Sequence, residues 1–98
     1  MYDIQLTKQA AKDTVLIERA GLKPKVTEFI NIVRVNPFQT PPPYEALKGD
    51  RQGSYSRRIN KQHRFVYEVL PNTDNLTDAS GTPYKGIVKI IRMWTHYE

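Results

Sequence analysis

Four of the chain's seven prolines lie between Pro37 and Pro43, and this stretch restricts the fold more than any other feature. Proline has no amide hydrogen and a fixed φ angle, so the stretch can be neither an α-helix nor a central β-strand. It separates two parts of the chain that have different hydrophobic patterns. We interpret it as a stiff spacer that also holds the next residues, Tyr44 and Glu45, in a fixed place.

The part before the prolines predicts one short strand followed by a helix. Residues 2–6 alternate weakly between apolar and polar side chains, which indicates a strand. Thr7 is a favourable N-cap for a helix that should run to about Arg19 and end at Gly21. The predicted apolar stripe of this helix is narrow and consists of Ala11 and Val15, with Ala10 and Leu16 at its edges.

A second helix is predicted to begin near Pro24, because proline is well suited to the first turn of a helix. Its apolar residues are spaced at i, i+3, i+4 and i+7, which is the pattern of a face buried in the core. These residues are Val26, Phe29, Ile30 and Val33. Asn36 and Pro37 end the helix, because the residue before a proline avoids helical geometry.

The part after the prolines predicts β-structure. The three predicted strands are residues 54–60, 62–70 and 86–95. The first two are so close that only a tight turn near Asn60 can join them, and the polar segment 71–85 is predicted to be a hairpin loop. The expected fold is therefore α+β: one domain, residues 1–98, with an antiparallel sheet and two N-terminal helices packed on one face.

Composition excludes several classes of protein. The chain has no cysteine, which excludes disulfide scaffolds and cysteine-based zinc sites and allows a reducing cytoplasm. No apolar run approaches the roughly 18–20 residues of a membrane span, and the first residues lack the order of a signal peptide. We therefore expect a cytoplasmic protein without a membrane partner. The net charge of +5 favours a polyanionic partner, with nucleic acid first.

Much of the positive charge is concentrated between Lys48 and Arg64, where six basic residues are opposed by a single acidic residue. A segment of this kind can be no more than a solvated basic face. Here aromatic residues lie among the charges, and the mixture suits contact with phosphates and stacking on bases. The aromatic residues are Tyr55, Phe65 and Tyr67.

Strand periodicity predicts which of these residues share a sheet face, because successive side chains point to opposite sides of a strand. The helices need an apolar surface, so Phe65 and Tyr67 should point towards them. Arg64 then points to the opposite, open side of the sheet. If Ile59 lies in the core, Arg58 also lies on the open side.

The last strand is predicted to bring a histidine to the same open side. Its residues that fit the core are Ile87, Ile91 and Met93, and those left outside are Arg92, Trp94 and His96. Arg58, Arg64 and His96 should therefore converge on one face, provided that no β-bulge reverses the alternation. His63 has the opposite parity to Arg64, so we interpret it as a structural histidine. Two histidines of opposite parity are a poor ligand set, so no metal or other cofactor is expected.

Short motifs follow one another along nearly the whole chain. They are Asn36-Pro37-Phe38, Glu45-Ala46-Leu47-Lys48, Gly53-Ser54-Tyr55-Ser56-Arg57-Arg58-Ile59, His63-Arg64-Phe65-Val66-Tyr67 and the terminal His96-Tyr97. In this order they resemble the YoeB/Txe branch of the RelE-like toxins of bacterial toxin–antitoxin systems. The resemblance implies a small RelE-like, microbial-RNase-like fold. It also implies a ribosome-dependent endoribonuclease that cleaves messenger RNA in the ribosomal A site and halts translation.

The resemblance also implies a role for each site residue in metal-independent RNA cleavage by attack of the 2′-hydroxyl. The implied catalytic residues are Glu45 as general base, Arg64 as phosphate ligand, His96 as general acid and Tyr97, which orients His96 or the RNA. The implied RNA-binding and phosphate-binding residues are Lys48, Arg51, Arg57 and Arg58.

Two other functions stay open at this point. A basic RNA-binding module without catalysis would use the same basic and aromatic residues, but would need neither Glu45 nor His96. An interaction protein would use the basic face to bind an acidic partner. That role is compatible with a toxin, because the resemblance implies a YefM/Axe-like antitoxin with a disordered tail that folds over the open face. The family precedent is also compatible with a homodimer.

Overall fold

The computed structural model describes residues 1–94 and places two helices on one side of a five-stranded sheet. The strands are β1 (Tyr2–Leu6), β2 (Glu45–Ala46), β3 (Ser54–Arg58), β4 (Arg64–Leu70) and β5 (Gly86–Arg92). The helices are α1 (Lys8–Arg19), α2 (Lys23–Val35) and one short 3₁₀ turn (Gly49–Arg51). No helix within the described residues is long and apolar enough to cross a membrane.

The strand order is β1-β5-β4-β3-β2. The run from β2 to β5 is antiparallel, whereas β1 joins the edge of β5 in parallel. The predicted α+β fold is therefore confirmed, with one parallel pair that the sequence pattern did not indicate. The two-residue strand β2 was also not predicted, and it places Glu45 on the sheet rather than on a loop.

Both ends of α1 follow from local sequence as predicted. The Thr7 hydroxyl oxygen accepts a hydrogen bond from the amide of Ala10 at 3.1 Å, which satisfies one of the free amides of the first turn. The helix ends at Arg19, and Gly21 follows with φ of +72°, a backbone conformation that glycine adopts without strain.

The buried face of α1 agrees with the prediction at Ala10 and differs from it at the other positions. The buried residues are Ala10, Asp13 and Ile17. The predicted stripe residues Val15 and Leu16 are 51% and 37% exposed, and Ala11 is exposed as well. The true face keeps the helical spacing i, i+3, i+7, but its middle position is a carboxylate. A stripe sought by hydrophobicity alone therefore falls on the wrong side of the helix.

The predicted face of α2 is confirmed. Val26, Phe29 and Val33 are buried, and Ile30 packs at the margin of the core. The ring of Phe29 lies 5.6 Å from that of Phe65, between ring centroids. Residues from β4 and β5 complete the helix-facing core, namely Phe65, Tyr67, Val88 and Ile90.

A side chain fixes the turn between β3 and β4. The amide oxygen of Asn60 accepts hydrogen bonds from the backbone amides of Gln62 and His63 at 2.8 and 2.7 Å. This is the local capping that asparagine favours in turns, and it confirms the predicted turn. Residues 71–85 connect the antiparallel neighbours β4 and β5, as expected of a hairpin loop.

The alternation of β5 is opposite to the prediction over most of its length. Val88 and Ile90 belong to the core that faces the helices, whereas Ile87 and Ile91 do not. Apolar residues stand at both parities of this central strand, so hydrophobicity alone does not identify the buried set.

A β-bulge then restores the predicted parity. Tyr67 pairs with Ile90 and Val66 pairs with Arg92, which leaves Ile91 as an extra residue on β5. Beyond the bulge, Met93 is buried in the helix-facing core, as predicted. Arg92 pairs with Val66 on the opposite side, and the strand ends there. The prediction that Trp94 lies outside is wrong, because Trp94 follows the end of the strand and packs, partly buried, against the core.

Candidate functional site

Three strands present polar side chains on the sheet face opposite the helices, which we call the open face. Glu45 of β2 pairs with Ser56 of β3, and Arg58 of β3 pairs with Arg64 of β4. Paired residues of neighbouring strands point to the same side, so all four side chains lie on the open face. The structure thus brings together three of the predicted site residues, Glu45, Arg58 and Arg64.

These side chains line a cleft of about 270 Å³. Its lining residues are Pro43, Tyr44, Glu45, Ser56, Arg58 and Arg64. A terminal nitrogen of Arg64 lies 3.3 Å from a carboxylate oxygen of Glu45 and 3.3 Å from the Ser56 hydroxyl oxygen, to both of which it donates. The cleft therefore contains one carboxylate beside two guanidinium groups.

The Glu45–Arg64 ion pair adds little to stability. The Glu45 side chain is 67% exposed and that of Arg64 is 20% exposed. Ion pairs this open to water are worth about 0–1 kcal/mol. An incoming phosphate can therefore replace Glu45 as the partner of Arg64 at small energetic cost, which would release the carboxylate.

Ser56 is a site residue that the sequence reasoning missed. It is 1% exposed, and its hydroxyl is one of two side-chain acceptors for Arg64. Because Ser56 is rigidly placed in β3, it orients the guanidinium more firmly than the exposed Glu45 does. The sheet face of Ser56 was predictable from the sequence, because Ser56 alternates with Arg57 along β3. A serine between Tyr55 and Arg57 nevertheless gave no sign of a chemical role.

Lys48 and Arg51 lie apart from this cleft. Both belong to the segment between β2 and β3, in which Gly49–Arg51 forms the 3₁₀ turn. Lys48 lines a neighbouring depression together with Gly53 and Tyr55. If Lys48 and Arg51 bind RNA as predicted, they bind it beside the Glu45–Arg64 cleft and not within it.

Arg57 is buried, although it was predicted to bind phosphate. Its residue exposure is 0%, and its guanidinium donates to the backbone carbonyls of Pro37, Gln39 and Pro42 and to the Tyr67 hydroxyl. No carboxylate of residues 1–94 forms an ion pair with it. This burial argues against the predicted phosphate contact, and we leave Arg57 out of the RNA site.

Arg57 instead fixes the proline-rich spacer from the helix-facing side. All three carbonyls that it binds belong to Pro37–Pro43, and its guanidinium carbon lies 5.2 Å above the Tyr44 ring. The Tyr67 hydroxyl donates to the Pro37 carbonyl at 2.7 Å. Burial raises the pKa of Tyr67, and the Arg57 charge and hydrogen bond oppose the rise. The spacer therefore leads into Glu45 along a fixed path.

The aromatic residues of the basic segment are not available for base stacking as a group. Phe65 and Tyr67 are 0% exposed and form part of the core. Tyr55 is half-buried between Phe38 and Tyr44, with ring centroids 5.1 and 5.8 Å away. The burial of Phe65 and Tyr67 confirms the strand-parity prediction that both side chains face the helices, and it excludes them from the base stacking that composition suggested.

His63 is buried, at 5% exposure, and its ring stacks on Trp94 with 3.8 Å between centroids. This packing agrees with the interpretation of His63 as a structural residue. The predicted catalytic residues His96 and Tyr97 lie outside the described residues. Within residues 1–94, no group of three or more His, Asp or Glu side chains has an arrangement suited to a metal ion.

Comparison with known proteins gives consistent results. A family model described as a YoeB-like toxin of bacterial type II toxin–antitoxin systems matches residues 7–97. The chain is 39% identical over 49 residues to Toxin YoeB of Escherichia coli strain K12, an alignment that covers 50% of this chain and 58% of that protein. The chain therefore matches less than two-thirds of the length of this curated relative.

Three solved structures have a similar fold over nearly their full length. A YoeB/ParE toxin from Agrobacterium tumefaciens is 28% identical with a TM-score of 0.75, over 97% of this chain and 99% of that chain. The matching chain of a YoeB–YefM complex from Staphylococcus aureus is 27% identical with a TM-score of 0.70, over 99% of both chains. A YoeB dimer from the same organism is 26% identical with a TM-score of 0.70, over 98% of both chains.

Proposed function

Because the chain belongs to the YoeB-like toxin family of bacterial type II toxin–antitoxin systems, we propose that it is an endoribonuclease toxin that cleaves messenger RNA on the ribosome. The observation that carries this proposal is the contact between Glu45 and Arg64 at 3.3 Å, in a cleft that Arg58 also lines. Cleavage by the RNA's own 2′-hydroxyl requires a base close to cations that can stabilise the charge on the phosphoryl oxygens.

In the proposed reaction, the Glu45 carboxylate accepts the proton of the 2′-hydroxyl. The 2′-oxygen attacks the adjacent phosphorus, and the bond from phosphorus to the 5′-oxygen breaks. Arg64 and Arg58 stabilise the negative charge that accumulates on the phosphoryl oxygens. The products are a 2′,3′-cyclic phosphate and a 5′-hydroxyl, and no metal ion is needed.

We propose His96 as the general acid that gives a proton to the departing 5′-oxygen, with Tyr97 orienting His96 or the RNA. The support is the resemblance of the terminal His96-Tyr97 to the family motif, together with its closeness in sequence to the last residue of β5. Arg92 pairs with Val66 on the open face, and His96 follows four residues later in the chain. The ribosome would contribute orientation of the RNA, since cleavage depends on in-line placement of the 2′-oxygen.

Single-turnover cleavage of messenger RNA on programmed ribosomes tests these roles. The variants Glu45→Gln, Arg64→Ala and His96→Ala should each lose about 10²–10⁴-fold in rate, the usual range for removal of a general acid, a general base or a charge-stabilising group. Glu28→Gln and Arg19→Ala are matched controls, because they remove a carboxylate on α2 and a guanidinium on α1. These controls should cleave at the wild-type rate.

The cleaved ends discriminate between the proposed chemistry and its alternatives. A 2′,3′-cyclic phosphate, or the 3′-phosphate formed from it, with a 5′-hydroxyl supports the proposal. Full activity of Glu45→Gln would refute the assignment of the base. A wild-type protein that binds ribosomes and RNA without cutting would favour the non-catalytic RNA-binding module.

We also propose that an antitoxin neutralises the chain by covering the open face. Arg58 is exposed there, and within residues 1–94 the ion pair of Arg64 is the weak one with Glu45, with which a new carboxylate can compete. The similar S. aureus protein has been solved both in complex with YefM and as a dimer. Pull-down of an acidic antitoxin with wild type but not with Arg58→Glu/Arg64→Glu would support this.

We propose a homodimer from the likeness to the S. aureus dimer. Analytical ultracentrifugation at micromolar concentration measures the oligomeric state.

A further inference from the structure

Asp13 of α1 is a buried carboxylate that the proposed reaction does not use. It is 1% exposed and occupies the middle of the buried face of its helix. A charge in such a place is unfavourable unless several hydrogen bonds compensate for lost water. Its partners therefore indicate what it stabilises.

The partners of Asp13 are mainly main-chain amides at the end of β5. One carboxylate oxygen accepts hydrogen bonds from the amides of Met93 and Trp94 at 2.9 and 3.1 Å. The other accepts from the Gln9 side chain at 2.9 Å. The Nε of Arg92 lies 3.9 Å from the first oxygen, at the limit of an ion pair.

A second set of hydrogen bonds to the end of β5 lies next to the set made by Asp13. The Thr7 hydroxyl donates to the Ile91 carbonyl at 2.8 Å, and the Thr7 amide donates to the Ile90 carbonyl at 3.1 Å. The N-terminal half of α1 thus holds the main chain on both sides of the Ile91 bulge. The strand pairing ends at Arg92. The Asp13 carboxylate therefore accepts the hydrogen bonds of the next two amides in place of a neighbouring strand.

We propose that Asp13 is a positioning residue for the general acid. By holding the amides of Met93 and Trp94, it sets the direction in which the chain leaves the sheet, two residues before His96. This inference rests on the proposed function, because it assumes that His96 acts in cleavage. A carboxylate can accept from two adjacent amides at once, which a neutral side chain of the same size does less strongly.

The expected effect is on the rate of the chemical step. A misplacement of a catalytic group by about 1 Å can lower a rate by about 10²-fold. Asp13→Ala removes the oxygen that accepts from both amides, so we expect kcat to fall by about 10–100-fold with KM for programmed ribosomes unchanged. Asp13→Asn keeps an oxygen for the two amides, and the Gln9 amide can rotate to accept from the new NH₂ group. It should keep kcat within about 3-fold of wild type, because its oxygen still accepts from the two amides, although more weakly than a carboxylate does.

A control separates positioning from loss of stability. Val33→Ala removes core volume from α2, where Val33 is 0% exposed. It should lower the thermal midpoint as Asp13→Ala does, but leave kcat per folded molecule unchanged. All rates are measured well below the thermal midpoints and are divided by the folded fraction from circular dichroism.

The fluorescence of the chain's single tryptophan reports directly on the hydrogen bonds between Asp13 and the end of β5. Trp94 stacks on His63 and donates its amide to Asp13. Its fluorescence at native temperature should change in Asp13→Ala and stay wild-type in Asp13→Asn and Val33→Ala. Hydrogen exchange of wild type should show that the Met93 and Trp94 amides are protected.

The outcomes separate this inference from the proposed function. A His96→Ala variant that cleaves normally refutes the proposed acid and therefore the role assigned to Asp13. If His96→Ala is inactive but Asp13→Ala keeps full kcat per folded molecule, the proposed function stands and the positioning role is wrong. If Asp13→Ala does not fold, Asp13→Ser takes its place, because its oxygen is one bond too short to reach the two amides. Rapid exchange of the Met93 and Trp94 amides in wild type also overturns the inference.

Discussion

Replacement of Arg57 by methionine should destabilise the protein strongly, whereas the same replacement at the adjacent Arg58 should not. The two arginines are neighbours in β3 and were indistinguishable by composition. Arg57 is 0% exposed on the helix-facing side, and Arg58 is exposed on the open face. The pair therefore tests the side-chain alternation from which the whole site is built.

The magnitude follows from the bonds that the Arg57 guanidinium makes. It donates to three carbonyls of the proline-rich spacer and to the Tyr67 hydroxyl. Hydrogen bonds to a charged group are worth about 1.5–3 kcal/mol each, but burial of the charge offsets part of that sum. Loss of the whole set, with buried carbonyls left unsatisfied, should cost about 3–5 kcal/mol.

This loss is large for a chain of 98 residues. Domains of this size have a free energy of unfolding of about 5–15 kcal/mol. A loss of 3–5 kcal/mol should lower the thermal midpoint by roughly 12–40 °C. Arg58→Met should change the free energy of unfolding by less than about 0.5 kcal/mol, as is usual for an exposed position.

Urea denaturation of both variants, followed by circular dichroism, measures the two free energies, and ribosomal cleavage is measured on the same samples. We expect Arg57→Met to lose stability and Arg58→Met to lose cleavage at nearly wild-type stability. Arg57→Lys should recover little of the lost stability, because one ammonium group cannot reach three carbonyls and a hydroxyl together. Equal, small losses of stability in Arg57→Met and Arg58→Met would refute the assigned burial of Arg57.

Three further outcomes follow from individual contacts. Ser56→Ala removes one acceptor from Arg64 and should lower single-turnover cleavage by about 3–10-fold without loss of secondary structure. Because burial raises the pKa of Tyr67, an alkaline absorbance titration should contain a tyrosine that ionises above the usual pKa of the side chain, and this component should be missing in Tyr67→Phe. Stability from this group is complete below about pH 10, the unfolded value, and falls as the pH rises towards the folded pKa. Hydrogen bonds from the Ser80 hydroxyl and the Thr82 amide lower the pKa of Asp78. Its contribution to stability is present above about pH 4 and is lost as the pH falls through the folded pKa, so Asp78→Asn should weaken the acid dependence of unfolding.

Local signals predicted the elements that depend on local chemistry. The N-cap at Thr7, the glycine after α1 and the asparagine turn at Asn60 are each a side chain acting on its own neighbours. The periodicity of α2 was correct because every buried position in it is apolar. Parity in β3 and β4 placed Arg58 and Arg64 correctly, since no bulge interrupts the pairing of these two strands.

The failures have a common physical cause, which is a contact with a distant part of the chain. Asp13 stands on the buried face of α1 because its partners are amides of residues 93 and 94, about 80 positions away. Arg57 is buried because its partners are carbonyls 15–20 positions upstream. The Ile91 bulge reverses β5 through its register with β4. Hydrophobicity within a window of one element contains none of this information.

Asp13 and Arg57 have the same kind of partners, which explains why a small chain buries two charged side chains. Each binds mainly main-chain groups rather than an opposite charge, and each of the bound segments leads to a proposed catalytic residue. The spacer held by Arg57 leads to Glu45, and the end of β5 held by Asp13 leads towards His96. A chain of this length has little apolar surface with which to fix segments outside its core. Hydrogen bonds to a charged group are about twice as strong as neutral ones, so one buried charge can fix a segment that hydrophobic packing would leave loose. On this argument the two buried charges give precision to the proposed site, at some expense of stability, from the side of the sheet opposite the Glu45–Arg64 cleft.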